Sequence, residues 1–197
     1  MVRKRESKQY EQYSRLLVLC EGSTEVWYLE QQLDTIKYKV KAVKNSYSNA
    51  LKLVKLAINC YISKWDKIYC VFDRDSKSNT KEQLREANRL INKNQGVLIR
   101  IISNPCFEII WLFNFEKIIR EFSNYDEIEG MLNKNLKLSG GKKYEKNQDC
   151  INQICELTDF GRVCYTAKVI YEELAVNHNN WLTVTEGFSE IFKLNSN

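Results

Sequence analysis

The chain has 197 residues, of which 44% are hydrophobic and 12% aromatic. That composition excludes disorder or fibrous repeats for the whole and suits one α/β domain with a small appendage, not two full domains. One proline and seven glycines are too few for the many tight turns of an all-β fold, and a net charge of +5 permits nucleic-acid binding without demanding it.

The chain starts with a basic cluster, Arg3-Lys4-Arg5, and then a short apolar run, Leu16 to Cys20, closed by Glu21-Gly22-Ser23-Thr24. A continuous apolar run of that length reads as a strand buried on both faces, and it is too short for a signal peptide's apolar core. Val26, Leu29, Leu33 and Ile36 then follow helical spacing from a start near Thr24, which can cap the helix. Tyr38, Val40 and Ala42 alternate with lysines, as in a half-exposed second strand. Leu51, Val54, Ile58, Tyr61 and Trp65 continue the helical period through a second helix. The third strand, Ile68 to Phe72, ends abruptly in Asp73-Arg74-Asp75. Thr80 with Gln83 forms a capping box for a third helix, and Val97 to Ile102 reads as a fourth strand. Asn104 and Pro105 are expected to start a further helix, as cap and first helical residue.

Alternation of strand and helix up to this point indicates a parallel sheet flanked by helices. The remainder reads as helices at Ile128 to Leu136, Cys150 to Leu157, Val163 to Leu174 and Thr185 to Leu194. The expected organisation is a catalytic core over residues 1–118 and a helical C-terminal portion over 119–197 packed on it. Seven cysteines without a C-x-x-C pair fit free thiols and a cytoplasmic location. Cys150, Cys155, Cys164 and His178 lack the spacing of a zinc finger. No run approaches the ~20 apolar residues that a membrane span needs.

Two of the expected strands end in carboxylates, Glu21 with Glu25 and Asp73 with Asp75. Ligands of open α/β sheets bind just beyond the carboxyl ends of the strands. If the first and third strands are neighbours, four carboxylates meet there and would repel one another unless a hard cation such as Mg²⁺ or Mn²⁺ held them. In the D-x-D run an extended backbone points Asp73 and Asp75 the same way. Read singly, each pair could equally be ordinary helix-start electrostatics.

Leu-Val-Leu-Cys-Glu-Gly-Ser-Thr-Glu at 17–25, Val-Phe-Asp-Arg-Asp at 71–75 and Ser-Asn-Pro-Cys-Phe-Glu-Ile-Ile-Trp-Leu at 103–112 resemble the three motifs of RloB-family proteins. That resemblance implies a TOPRIM catalytic fold, similar in its core to OLD-family nucleases, primases and topoisomerases. It implies catalytic roles for Glu21, Asp73 and Asp75, metal binding by these three with Glu25, and an auxiliary role for Glu108. Topoisomerases carry a third aspartate where Lys77 stands here, so the number of metals is left open. The resemblance also implies prokaryotic anti-phage defence beside an ABC-type or AAA ATPase. The chain has no P-loop motif of its own.

Ser103 could touch a metal-bound water or a phosphate, or serve only as a helix cap. Lys77, Lys142 and Lys146 are candidate phosphate or nucleic-acid contacts, against the plainer reading of solvated surface lysines. His178, the only histidine, lies in an Asn-rich polar stretch and is a poor candidate for catalysis. Three functions compete. The favoured one is a Mg²⁺-dependent nuclease acting on DNA or RNA, tRNA included. The second is a non-catalytic subunit that binds metal and nucleic acid. The third is a phosphoacceptor receiver domain, which needs a single aspartate after the third strand and a lysine after a fifth. A homodimer is compatible with any of them.

Overall fold

A computed structural model describes residues 15–33, 38–42, 49–74, 79–118, 122 and 125–176. Four parallel strands form the sheet: β1 (Leu16–Cys20), β2 (Tyr38–Ala42), β3 (Lys67–Asp73) and β4 (Leu98–Ser103). Around them lie α1 (Ser23–Gln32), α2 (Ala50–Leu56), α3 (Lys81–Lys93), α4 (Ile109–Leu112), α5 (Tyr125–Asn135), α6 (Gln148–Leu157) and α7 (Phe160–Val176). The architecture is α/β and Rossmann-like, as the alternating pattern indicates.

Strand order is β2-β1-β3-β4, with β1 and β3 in the middle. Every residue of β1 is buried, and so is each from Ile68 to Phe72 in β3, which is why these two strands read as unbroken apolar runs. Alternate residues serve opposite faces. Leu16, Val18, Cys20, Tyr69 and Val71 pack in one core with α1 and with α4 to α7, whereas Leu17, Leu19, Ile68, Cys70 and Phe72 pack in another with α2 and α3. The chain leaves β1 towards β2 over one face and returns to β3 over the other. Right-handed crossovers then open a gap at the carboxyl ends of β1 and β3, where the winding reverses.

Several expected boundaries move. Thr24 does not cap α1: Gly22, extended at φ −126° and ψ 173°, occupies the N-cap position without a side-chain cap, so the helix opens at Ser23. The second helix does not run on to Trp65. It passes into a π-helical turn over Ala57–Tyr61, where the Ile62 N–H donates to the Ala57 carbonyl at 2.9 Å, and the wider turn ends the helix. Nor does Asn104 cap a helix. Ser103 is still in the sheet, paired with Asp73, and the Asn104–Pro105 bond is cis. Helical turns begin only after Cys106, leading to the short α4. By contrast, Thr80 and Gln83 close the expected capping box on α3, with hydrogen bonds of 2.9 and 3.2 Å. The expected helix over Thr185 to Leu194 and the single histidine lie outside the described residues. Among the described residues no helix is long and apolar enough to cross a membrane.

Helices α5 to α7 share one core with the sheet: Ile128, Leu132, Ile151, Ile154 and Val163 are all fully buried in the cluster that contains Val18 and Val71. Ile151→Ala removes buried methylenes there and should cost about 2–5 kcal/mol. Calorimetry should show one unfolding transition moved to lower temperature; a second transition left at the wild-type temperature would contradict a common core.

Candidate functional site

At the gap between β1 and β3 is a crevice of about 380 Å³ lined by Glu21, Gly22, Ser23, Thr24, Glu25, Trp27, Asp73, Phe107, Glu108 and Lys146. Neighbouring parallel strands bring the first two acids together. Cys20 is paired with Val71, and the Glu21 N–H donates to the Val71 carbonyl at 3.1 Å, so Glu21 leaves β1 beside the end of β3 that carries Asp73. The other acids arrive from α1 and from the turn just before α4.

Glu25 lies in the first turn of α1 and is only 6% exposed. Its carboxylate folds back over the preceding loop. A β-carbon built on Gly22 would stand 2.7 Å from Glu25 Oε2, so a side chain there would make the Glu25 carboxylate shift. Gly22 is therefore a matter of space: its missing side chain is where the Glu25 carboxylate rests.

Glu108, 1% exposed, stands just before α4. Its Oε1 accepts a hydrogen bond from the Tyr144 hydroxyl at 3.2 Å and pairs with the Lys146 ammonium at 2.5 Å. The Lys146 Nζ also lies 4.7 Å from the centre of the Tyr125 ring. Asn133 holds the approach to this pair by accepting from the Tyr144 N–H at 2.6 Å, and Asn147 caps α6 directly after it. Lys146 thus lines the crevice and pairs with a buried carboxylate while its side chain stays 53% exposed, so it keeps solvent contact and has a fixed partner besides.

Asn79, which the sequence does not single out, ties the floor together. Its side-chain amide donates to the Asp73 carbonyl at 2.9 Å and to Glu21 Oε2 at 3.4 Å, while its oxygen accepts from the Ala50 N–H at 2.8 Å, at the start of α2. The contact with Glu21 spans 58 positions of sequence, so no local pattern reveals it.

Electrostatics follow from packing carboxylates into a poorly solvated gap. Burial, then the charges of Glu108 and Glu21, push the Glu25 carboxyl from an ordinary 4.5 up to about 7, against the opposing pull of its own backbone hydrogen bond and of Lys146. Burial, together with Glu25, Glu108 and Glu21, likewise raises Asp73 well above the usual carboxylate range. For Lys146 burial works against the charge, but the field and hydrogen bond of Glu108 prevail and hold its ammonium more firmly protonated than usual.

A hard divalent cation suits this donor set. All four acids offer oxygen, and Asp73 Oδ1 is buried without a hydrogen-bond partner, an acceptor of the kind a cation satisfies. Among the described residues no group of three or more His, Cys, Asp or Glu side chains is placed to hold a metal ion as the side chains stand. The residues that would hold a cation are Glu21 and Asp73, with Glu25 beside them. Of the remaining candidates, Ser103 is fully buried, paired with Asp73 on β4, with no partner for its Oγ; it does not line the crevice. Lys142 is exposed and stands outside the lining. Asp75 and Lys77 lie outside the described residues.

A family model described as RloB-like protein matches residues 16–194, nearly the whole chain, and the chain belongs to this family. No curated protein and no solved structure matches it.

A carboxyl raised by folding binds its proton more tightly in the native state, so its contribution to stability is full below the unfolded value and is lost as pH rises through the folded one. For Glu25 that window runs from about pH 4.5 to about pH 7, and Asp73 acts in the same direction. In the presence of a chelator the unfolding midpoint should fall across this window. Glu25→Gln should flatten the decline, and a midpoint that rises with pH in the wild type would contradict the assignment.

Proposed function

We propose that this RloB-like family member is a divalent-cation-dependent nuclease that hydrolyses phosphodiester bonds of DNA or RNA. The observation that carries this reading is the meeting of Glu21, Glu25 and Asp73 at the β1/β3 gap, with a buried carboxylate oxygen on Asp73 left without a partner. The cation, Mg²⁺ or Mn²⁺, would polarise the scissile phosphate and make water acidic enough to attack it at neutral pH.

This chain's own residues supply the rest. Glu21, steadied by Asn79, offers a carboxylate at the mouth of β1 that can take a proton from the attacking water. Asp73 and, by the family resemblance, Asp75 hold the cation. Glu25, pushed up to about 7, can carry a proton near neutral pH and pass it within the crevice. Lys146, fixed on Glu108, offers an ammonium to the phosphate oxygens, where negative charge grows in the transition state. The exposed Lys39 of β2, and Lys142, are candidates for longer-range attraction of a polyanion.

A role in prokaryotic anti-phage defence, with an ABC-type or AAA ATPase as partner, is part of this proposal and is supported by family membership alone. The test uses purified protein incubated with duplex DNA, single-stranded DNA and tRNA, with and without Mg²⁺ or Mn²⁺. Cation-dependent cleavage is expected, lowered by about 100-fold or more in Glu21→Gln and in Asp73→Asn, the scale for removing a group that acts in the transition state. Asn79→Ala should lose less, because Glu21 is displaced but present. Cleavage unchanged in the Glu21 and Asp73 variants would place the chemistry elsewhere. Salt-sensitive binding of nucleic acid with no turnover under any cation would favour the non-catalytic reading.

A further inference from the structure

Lys146 is the only basic side chain lining the crevice among the described residues, and its ammonium does not hang free in solvent. It meets Glu108 at 2.5 Å, on the same carboxylate oxygen that the Tyr144 hydroxyl reaches at 3.2 Å. Glu108 itself is 1% exposed. A buried carboxylate that already holds an ammonium and a hydroxyl is a poor recruit for a metal, because a dication there would have to displace the lysine or share one carboxylate with it. Displacement strands a cation beside the crevice, and sharing sets two cations against each other at short range.

The other acids are differently placed. Asp73 has an oxygen without a partner, and Glu21 leaves the sheet beside it. The four carboxylates therefore divide into a set that can accept a cation and one, Glu108, that has its own. Resting on the reading of the crevice as a divalent-cation site, we propose that Lys146, anchored on Glu108, is the crevice's resident second cation, so that the site takes one divalent ion and not two. Glu108 is then a positioning residue for Lys146 and not a metal ligand.

The arrangement accounts for two further features. Tyr144 and Lys146 come from the chain between α5 and α6, so the C-terminal portion supplies a fixed charge to a crevice whose other acids come from the strand ends and α1. The Tyr125 ring beside Lys146 Nζ and the Asn133 contact to the Tyr144 backbone hold that segment against the site. A lysine meant only for solubility would need none of these.

The test counts bound ions. Mn²⁺ is titrated into the purified full chain at physiological salt, and the free ion is followed by electron paramagnetic resonance. The wild type should bind one ion saturably. Lys146→Met keeps the apolar stem, exposes Glu108 to the crevice, and should bind two. Glu108→Gln should keep one ion at close to wild-type affinity, and Lys146→Met with Glu108→Gln should return the count to one. Two ions on the wild type, one on Lys146→Met, or a loss of roughly tenfold or more in affinity in Glu108→Gln, the scale for disturbing a metal's ligand shell, would overturn the proposal while leaving the cation site standing. No saturable ion on the wild type would overturn both the cation site and this inference.

Discussion

Everything at the β1/β3 gap depends on the burial of carboxylates that the fold also holds close enough to repel one another. Two come from the ends of adjacent parallel strands, one from α1 and one from the turn just before α4. Both Glu25 and Asp73 ionise less readily because of where they stand. Such a group raises the free energy of the native state unless a proton or a cation offsets it. The neighbouring details are ways of keeping the charges in place. Gly22 leaves room for the Glu25 carboxylate, Asn79 ties Glu21 to the backbone of Asp73 and to the start of α2, and Lys146 offsets Glu108.

The helical C-terminal portion belongs to this account and is not only a cover for the sheet. Its helices share a core with Val18 and Val71, and the segment leading into α6 carries both Tyr144 and Lys146 to the crevice. Trp111 of α4 stacks edge-on against Tyr144 at 5.4 Å, so the same aromatic contact that packs the helices also aims the tyrosine at Glu108. The crevice draws residues from widely separated parts of the chain. Its geometry therefore depends on the whole described core folding as a unit.

Much of this was legible in the sequence, and the rest had physical reasons to be hidden. Strands β1 and β3 stand out because full burial leaves only apolar side chains, and Glu21 and Asp73 stand out because they end those runs. The capping box on α3 is a local signal and survives intact. Boundaries that depend on a backbone's exact path are less legible. A glycine takes the cap position expected of Thr24, and a π-helical turn ends the second helix early. Ser103 stays paired in the sheet, which moves the start of the next helix beyond Pro105. Contacts between distant residues are silent in any local window: Tyr144 reaches Glu108 across 36 positions, and Asn79 reaches Glu21 across 58. Lys146 could be named from its charge, but its partner could not.

A strand order of β2-β1-β3-β4 with acids at the β1 and β3 ends also serves proteins of other chemistry, so fold alone does not decide among metal-dependent hydrolysis, simple binding and phosphoryl transfer to an aspartate. The surroundings of Asp73 bear on that choice. An aspartate that accepts a phosphoryl group must present a carboxylate oxygen to an incoming phosphate, whereas Oδ1 of Asp73 is buried and its side chain is crowded by three other acids. Negative neighbours disfavour both attack on a phosphate and the charged product. They favour the capture of a small, hard cation, because each added carboxylate strengthens its binding. The crowding that weighs against Asp73 as a nucleophile is what the proposed cation site draws on. On the proposed one-ion reading, Lys146 limits how far that accumulation goes, because it occupies one carboxylate with a charge the chain carries itself.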